Sequence, residues 1–208
     1  MDPLHIAENF LVCDKPAGLL AVPGRGDAGR DCLLSRLQQR WPEAEVVHRL
    51  DMATSGLIVF ARGKAAQRAL STAFAERRVA KRYVAVVHGR LAPTQGWGRI
   101  DLPLAADWPN RPRQKVDVRS GKPSLTRYRV LGGGDGDTTR VELVPETGRS
   151  HQLRVHLMAL GHPIVGDALY APAAPRPAAP RLLLHASELG FDDPAGGRPC
   201  RFDSPAPF

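Results

Sequence analysis

The amino-acid sequence predicts an α+β fold with a central mixed, mostly antiparallel sheet that is flanked by helices and loops around one cleft. Short runs rich in Val, Ile and Thr recur along the chain, each bounded by Gly, Pro or Asp, which is typical of strands. Only three stretches carry apolar residues at helical spacing. The length of 208 residues suits one core, so we expect a single domain over residues 1–208.

The N-terminal part of the chain alternates strands and helices. A glycine-rich loop leads into a helix that begins at "CLLSRLQQRW", for which Asp31 is the predicted N-cap. The segment "GKAAQRALSTAFAERR" has one apolar stripe, so it predicts an amphipathic helix that packs on the sheet. The predicted strands are "NFLVCDKP" (9–16), "AEVVHRLD" (44–51) and "GLIVFAR" (56–62).

The C-terminal part is richer in strands. The segment "LPLAADWPNRPRQKV" (102–116) is predicted to be an irregular excursion, and "GGGDGD" a hairpin connection. Helical spacing within "RSHQLRVHLMALGHP" predicts a helix that Gly161 stops. The run "APAAPRPAAP" (171–180) is too rich in proline for a helix or sheet. The predicted strands are "KRYVAVVHG" (81–89), "SLTRYRVLG" (124–132), "TTRVELVPE" (138–146) and "RLLLHASELGF" (181–191).

The charge balance is basic. Lys and Arg number 29 against 21 Asp and Glu, and 24 of the 29 cations are arginines. Because the guanidinium fork can bind two phosphate oxygens at once, this excess favours a polyanionic partner. The alternative is an ordinary solvated surface with an arginine-biased composition.

The cysteines and the termini indicate a cytoplasmic protein. Cys13, Cys32 and Cys200 are odd in number and widely spaced, as expected of reduced thiols. The first residues lack the basic segment and long apolar run of a secretion signal, and no stretch reaches about 18 uninterrupted apolar residues. We therefore expect no membrane association.

Several familiar catalytic motifs are incomplete. "SGKP" and "RGKA" lack the upstream glycine spacing of a phosphate-binding loop. His151, His156 and His162 are not spaced as the paired ligands of a helical zinc site, so we expect no metal. "HRLD" departs from the kinase triplet by a leucine, and the accompanying kinase motifs are missing.

A carboxylate, an aromatic ring and a guanidinium remain as candidates. If residues 46–51 are extended, Arg49 and Asp51 project to one side and His48 to the other. Alternation along the next basic strand places Lys81 and Tyr83 on one face, as in a base-stacking arrangement. Each residue also has an ordinary structural explanation: Asp51 as a turn or helix cap, Tyr83 as a sheet-edge aromatic, and Arg149 as a surface cation at a helix end.

Five segments together are similar to the RluA family of pseudouridine synthases, and they span nearly the whole chain. They are "KPAGLLAVPG" (15–24), "HRLDMATSGLIVFA" (48–61), "AKRYVAVVHG" (80–89), "TGRSHQLRVHLMALGHPIVGD" (147–167) and "LLLHA" (182–186). The resemblance implies one pseudouridine synthase catalytic domain. Many relatives carry an N-terminal S4-type RNA-binding domain, which we do not expect in residues 1–208.

The resemblance also implies the reaction and its residues. Family members break the N1–C1′ bond of a uridine, rotate the uracil and rejoin it through C5, without cofactor or metal. By motif position, Asp51 is the essential carboxylate, Arg149 is its cationic partner, and Tyr83 stacks on the target base. Arg49 matches the residue that enters the RNA stack when the uridine flips out. We also place His48, Lys81, Lys15 and His185 among the substrate-binding residues.

The segment "DLPLAADWPNRPRQKV" (101–116) is similar to the RluA subgroup, whose members modify both 23S rRNA and the tRNA anticodon stem-loop. We expect those two RNAs as substrates, no obligatory protein partner, and a monomer. The basic stretch from Arg111 to Lys122 is a further candidate for phosphate contact, the alternative being ordinary surface charge.

Three alternatives remain open. The chain could modify a different single tRNA or rRNA site. It could be an inactive RNA-binding module, although such a module has no need for Asp51, Tyr83 and Arg149 together. It could also be a glycosidase that releases uracil instead of rejoining it.

Overall fold

The computed structural model describes residues 2–24, 30–134, 136–171 and 179–208, which form twelve strands and three α-helices. Two compact units are present, one of residues 1–81 with 185–207 and the other of residues 82–184 with 208. The strands are β1 (His5–Ile6), β2 (Phe10–Lys15), β3 (Ala44–Val46), β4 (Ser55–Arg62), β5 (Ala80–His88), β6 (Gly98–Asp101), β7 (Leu104–Ala106), β8 (Gln114–Val116), β9 (Leu125–Gly133), β10 (Thr138–Pro145), β11 (Leu184–Asp192) and β12 (Pro199–Asp203). The helices are α1 (Leu33–Gln38), α2 (Lys64–Ala75) and α3 (Gln152–Ala159).

The first unit is built around β4. This strand pairs antiparallel with β2 along one edge; along the other it pairs parallel with β11 at its start and antiparallel with β3 at its end. β1 extends the sheet beyond β2, and β12 pairs with β11. The parallel pair among antiparallel ones confirms the predicted mixed sheet.

The amphipathic helix α2 covers this sheet as predicted. Its stripe Ala66, Leu70 and Ala73 is buried against apolar side chains of the strands. These include Phe10, Val12, Leu57, Val59, Leu189 and Phe191. Burial of the stripe therefore fixes α2 on the sheet that carries β4.

The start of α1 differs from the prediction, which placed Asp31 at the N-cap. The N-cap is Cys32, whose sulfur accepts a hydrogen bond from the Ser35 amide at 3.3 Å while Ser35 Oγ accepts from the Cys32 amide at 3.1 Å. Asp31 lies one residue too early, and its carboxylate instead accepts two 2.7 Å hydrogen bonds from Arg36.

Cys13, Cys32 and Cys200 are free thiols.

The predicted strand over residues 44–51 is wrong beyond Val46. β3 pairs with β4 up to Val46 and Phe60, and the Val59 amide then donates to the imidazole of His48 at 3.1 Å. The Val59 amide could otherwise donate to a backbone carbonyl of the predicted strand and extend the β3–β4 pairing. Because it donates to the His48 side chain instead, the chain leaves the sheet after Val46. The alternation of side chains along a strand therefore does not determine the directions in which Arg49 and Asp51 project.

The second unit has an antiparallel sheet in the order β5-β10-β9-β6. Val141 and Leu143 of β10 are fully buried at its centre, opposite Ala85 and Tyr83 of β5. β9 and β10 form the predicted hairpin, whose connection includes residue 135, outside the described residues. The helix α3 ends as predicted before Gly161, which has a φ of +86°.

The excursion predicted as irregular contains regular structure. β7 and β8 pair as a small hairpin, joined by a 3₁₀ turn at Trp108–Asn110. β6 just before it and β12 near the end of the chain are further strands that the sequence analysis did not identify. The proline-rich loop predicted over 171–180 lies largely outside the described residues.

Within the described ranges, no helix combines the length and the apolar character needed to cross a membrane. The prediction of a single domain over 1–208 stays a prediction.

Gly56 should be indispensable to the first unit. A Cβ at this position would lie 2.3 Å from the Ala186 carbonyl oxygen of β11, and the φ of +109° disfavours other residues. We expect Gly56→Ala to lower the free energy of unfolding by about 3 kcal/mol or more, because β4 and β11 must separate. Urea denaturation measures this change.

The matched control is Gly96→Ala. Gly96 also has a positive φ, +77°, but a Cβ there meets no atom within 4 Å. Its cost should be limited to backbone strain of about 1 kcal/mol. Equal losses in the two variants would contradict the close-approach explanation.

Candidate active site

The candidate carboxylate Asp51 begins a tight turn that leads into β4. Its backbone carbonyl accepts a hydrogen bond from the Thr54 amide at 3.1 Å, which closes the turn. The side chain is half-buried, between the buried Leu50 and the exposed Met52. The turn thus presents Asp51 at the border between core and solvent.

A buried ammonium group, that of Lys15, fixes the backbone of this turn. Lys15 is fully buried and donates to the carbonyls of Pro16, Leu19 and Met52 at 2.9, 2.7 and 3.1 Å. The Gly18 amide also donates to the Met52 carbonyl at 2.8 Å. Carbonyl oxygens offset the desolvation of the ammonium group, so the segment after β2 and the residue after Asp51 are held together.

His48, which precedes the turn, is held by contacts with α2 and β4. Its ring stacks on Phe74 of α2 at a centroid distance of 4.3 Å and an interplanar angle of 22°. Its Nε2 accepts from the Val59 amide, which requires the proton on Nδ1. Burial lowers the pKa of His48 to about 3, and the charge of Lys81 adds to the shift, so the ring is neutral at pH 7.

Lys81 also lies near the Phe74 ring. Its Nζ is 5.8 Å from the Phe74 ring centroid. Burial, followed by the charge of Arg77, lowers the pKa of Lys81. Arg49 is exposed to solvent. The first unit therefore brings Lys15, His48, Arg49 and Lys81 around the Asp51 turn.

His185 joins β11 to the start of β4 through a buried hydrogen-bonded chain. Ser204 Oγ donates to the Asp14 carboxylate, so it accepts from His185 Nε2 at 3.0 Å. His185 Nδ1 then accepts from Ser55 Oγ at 2.8 Å. With 2 % of its surface exposed, His185 has the contacts of a positioning residue for the segment that follows Asp51.

In the second unit, Tyr83 lies near the beginning of β5. It is half-buried and stands opposite Leu143 of β10 in the sheet register. The prediction that Lys81 and Tyr83 belong to one strand, two residues apart, is confirmed. A phenol ring fixed by a central strand has little conformational freedom to lose on stacking.

Arg149 lies in the turn that precedes α3, and Gln152 organises this turn. The Gln152 Oε1 atom accepts from the Arg149 amide at 3.0 Å and from Thr147 Oγ1 at 2.7 Å. Its Nε2 donates to the carbonyl of Leu125 and to Thr126 Oγ1, both at 3.0 Å. The Arg149 side chain is exposed, and its Nε donates to the Pro123 carbonyl at 3.4 Å.

A buried ion pair fixes α3, the helix that follows this turn. Arg154 donates to both carboxylate oxygens of Asp167, at 2.8 and 2.7 Å, with both side chains nearly inaccessible. Asp167 also accepts from the amides of Leu169 and Tyr170. The Tyr170 hydroxyl lies 2.7 Å from Nδ1 of His151, which has a left-handed φ of +53°.

The sequence analysis missed the residues that position the site. Gln152, Arg154 and Asp167 lie inside the quoted motif "TGRSHQLRVHLMALGHPIVGD", and Ser55 lies inside "HRLDMATSGLIVFA". A buried Arg or Asp looks like an ordinary surface charge in a sequence, because its partner is many residues away. The pairing of Asp51 with Arg149 and Tyr83 stays a prediction.

Comparison with protein families gives one match over most of the chain. The family described as RNA pseudouridylate synthase matches residues 9–159. The dual-specificity RNA pseudouridine synthase RluA of Escherichia coli strain K12 is 52% identical over 205 residues, covering 99% of this chain and 93% of that protein. The protein of the same name from Pasteurella multocida is 48% identical over 208 residues, covering 100% and 94%.

A solved structure has the same fold. Human RNA pseudouridylate synthase domain containing 1 superposes with a TM-score of 0.83 and 33% sequence identity, covering 100% of this chain and 84% of that one. The predicted α+β fold class is confirmed by this similarity together with the mixed sheet and three helices of the described residues.

Replacement of His48 should change how stability depends on pH. The folded-state pKa of about 3 lies below the ordinary value of 6.5, so the unfolded state binds a proton first as the pH falls. The contribution is complete above pH 6.5 and is lost on acidification towards pH 3. Between pH 7 and pH 5 the parent should lose about 2 kcal/mol more unfolding free energy than His48→Gln.

Urea denaturation at the two pH values measures this difference. His5→Gln, which removes an exposed imidazole, is the matched control and should follow the parent. If His48→Gln and the parent lose the same free energy on acidification, the His48 imidazole is not held neutral by burial.

Proposed function

This chain belongs to the RNA pseudouridylate synthase family and is an RNA-modifying isomerase, and we propose that it converts uridines to pseudouridine in both 23S rRNA and the tRNA anticodon stem-loop. The proposal of two substrates is supported by relatives named dual-specificity synthases that match the chain from end to end. The observation that carries the catalytic part is the Asp51 turn, in which buried Lys15 fixes the residue that follows the carboxylate.

Asp51 acts as the catalytic carboxylate. The reaction breaks the N1–C1′ bond and forms a C5–C1′ bond, while the C5 proton leaves and N1 gains one, so atoms are conserved without a cofactor. We favour a glycal route, in which Asp51 assists departure of the uracil and removes the C2′ proton. The carboxylate returns this proton when the rotated uracil adds back through C5.

Arg149 pairs with Asp51 in the substrate complex. Removal of water from a closed cleft disfavours a carboxylate, and an adjacent guanidinium restores its charged form. The Gln152 contacts support this role, because they hold the Arg149 backbone while the guanidinium remains at the surface. A cation that is positioned before the substrate arrives needs little reorganisation during the reaction.

Tyr83 and Arg49 handle the flipped nucleotide. A base within a stem or stacked loop hides its C1′ and C5 atoms, so the target uridine must leave the stack at a cost of a few kcal/mol. Stacking of the flipped base on the Tyr83 ring offsets this cost by a favourable free energy of about 1–3 kcal/mol. The exposed Arg49 fills the space that the uridine vacates in the RNA.

The remaining predicted substrate-binding residues divide by burial. Lys15 and His185 are almost inaccessible, so we assign them to positioning the Asp51 turn and β4. The stack of His48 on Phe74 supports the same assignment for His48. Lys81 keeps part of its surface exposed and can reach an RNA phosphate. We further propose that the enzyme works in the cytoplasm as a monomer without an obligatory protein partner.

Both proposed RNAs should be modified by the protein alone. The test substrates are a synthetic tRNA anticodon stem-loop and a 23S rRNA hairpin with a similar loop, each carrying tritium at uridine C5. Each should release tritium to water while the uracil stays attached to the polymer, because the C5 proton is replaced by the glycosidic carbon. Product digestion and chromatography identify pseudouridine.

A third hairpin with the same stem but an unrelated loop sequence is the control for specificity. Turnover of only one of the two proposed RNAs would restrict the enzyme to a single substrate class. Release of free uracil would instead indicate a glycosidase.

Asp51→Asn should abolish isomerisation. The substitution removes the charge but little volume, so RNA affinity should stay within a few-fold while the rate falls by about a thousand-fold or more. Tritium release under single-turnover conditions gives the rate, and filter binding gives the affinity. The control is Asp31→Asn, which, among the residues that the structure describes, breaks the exposed ion pair with Arg36. Activity of Asp51→Asn within a few-fold of the parent would remove Asp51 from the mechanism.

A further inference from the structure

Each of the three tryptophans lies beneath an arginine guanidinium. Arg40 is 4.6 Å from the centroid of Trp41, and Arg127 and Arg129 are 5.3 and 5.0 Å from that of Trp97. The tightest contact is that of Arg111 over Trp108, at 3.4 Å. The chain therefore contains three examples of one contact, which can be compared with each other.

The Trp108 pair differs from the others in its charge. Arg40 pairs with Asp2, Arg127 with Glu146 and Arg129 with Glu142. Arg111 has no carboxylate within 4.0 Å among the described residues. Its positive charge is therefore not neutralised by any described residue.

The Trp108 pair also differs in exposure. Trp108 has 67% of its surface accessible, whereas Trp41 and Trp97 are half-buried. An exposed indole with a guanidinium on one face offers an apolar surface and a positive charge at the same place. This combination matches the base and phosphate of a nucleotide.

Hydrogen bonds close the turn that carries the pair. Trp108 to Asn110 form a 3₁₀ turn in which the Asn110 amide donates to the Asp107 carbonyl at 3.0 Å. The Asn110 side-chain amide donates to the Asp107 carboxylate at 2.9 Å, and the Asp107 amide donates to the Arg113 carbonyl at 2.9 Å. These bonds fix the backbone on both sides of Trp108 while its indole stays exposed.

The stem of the hairpin is anchored in the second unit. Leu104 of β7 and Val116 of β8 pack with Val155 of α3 and with Tyr170. The Gln114 amide donates to the Tyr170 hydroxyl at 2.7 Å. A surface aromatic on an anchored turn loses little entropy when a base stacks on it.

Further cations lie in the same segment: Arg113 follows the 3₁₀ turn, and Arg119 and Lys122 lie at the other end of the hairpin, after β8. Arg113, Arg119 and Lys122 also have no carboxylate within 4.0 Å among the described residues. The acid within residues 111–122 is Asp117, which accepts from the amides of Arg119 and Ser120. These hydrogen bonds lower the pKa of Asp117 and direct its charge into its own turn.

We propose that Trp108 and Arg111 form a platform on which an unpaired base of the substrate RNA stacks, while Arg113 contacts an adjacent phosphate. This platform is a second RNA-binding element, in addition to the Asp51 turn, and it selects RNA with an open loop. The inference rests on the RNA substrate of the proposed function and adds a base-binding site to it.

Tryptophan fluorescence tests the stacking directly. In a Trp41→Phe, Trp97→Phe background the Trp108 indole is the only one in the 208-residue chain, so its emission reports on this site alone. Titration with the anticodon stem-loop should quench the emission with the same midpoint as filter binding. A fully paired duplex of the same stem should bind without this quenching. Unchanged emission on formation of the stem-loop complex would overturn the platform.

Affinity variants provide a second test. Trp108→Ala should weaken stem-loop binding by about 5- to 100-fold, and Trp108→Phe should restore most of the loss because a ring is kept. Trp41→Ala removes a neutralised Arg–Trp pair and is the matched control, expected to bind as the parent does. Affinity of Trp108→Ala equal to the parent would contradict the proposal.

Abasic substitutions in the RNA identify the stacked nucleotide. Removing one loop base at a time should weaken binding to the parent, and at one position the abasic RNA should bind the parent and Trp108→Ala equally well. Additive losses at every loop position would exclude a base on the indole.

The same RNAs separate this inference from the proposed function. If the parent releases no tritium from either RNA but Trp108 is quenched, the substrate assignment fails and the platform stands. If the parent is active while Trp108→Ala binds as the parent does, only the platform fails.

Discussion

The buried ammonium group of Lys15 is the interaction on which the candidate active site depends. An ammonium in the core must find oxygen acceptors, and Lys15 finds carbonyls of residues 16, 19 and 52. Its cost of burial therefore becomes a constraint on the backbone, because the strand β2, the segment after it and the Asp51 turn can only be displaced together. The proposed removal of the C2′ proton by Asp51 needs such a constraint, because a catalytic group must be held within about 0.5 Å of its productive position.

The Asp51 turn and the Arg149 turn are each held by a buried polar side chain, but the two side chains use different hydrogen bonds. Lys15 organises the Asp51 turn by donating to carbonyls, whereas Gln152 organises the Arg149 turn by both accepting and donating. In each case a buried polar side chain holds the backbone, while the charged side chain of the turn stays half-buried (Asp51) or exposed (Arg149).

The sequence predicted local structure well and long-range contacts poorly. Periodicity correctly gave α2, α3, β4 and β10, because each has an apolar pattern of its own. It placed the end of β3 wrongly, since that end depends on a hydrogen bond from Val59 to His48, eleven residues apart. It also missed the β7–β8 hairpin, whose apolar residues acquire a partner only when α3 packs on them. Motif similarity proposed Asp51, Tyr83 and Arg149 as site residues, whereas the contacts of Gln152 and Ser55 became visible only in the folded structure.

The net charge of +8 is informative only when each cation is assigned a neighbour. On the sheet of the second unit, Arg82 and Arg129 share Glu142, and Arg127 pairs with Glu146, so these arginines contribute little field. Arg111 and Arg113, at the turn between β7 and β8, have no carboxylate within 4.0 Å among the described residues. Because exposed charges are screened beyond about 8 Å at physiological salt, a phosphate senses the local balance and not the total. Two surfaces of equal arginine content can therefore differ in RNA affinity, and the basic composition gains functional meaning at the Trp108 turn.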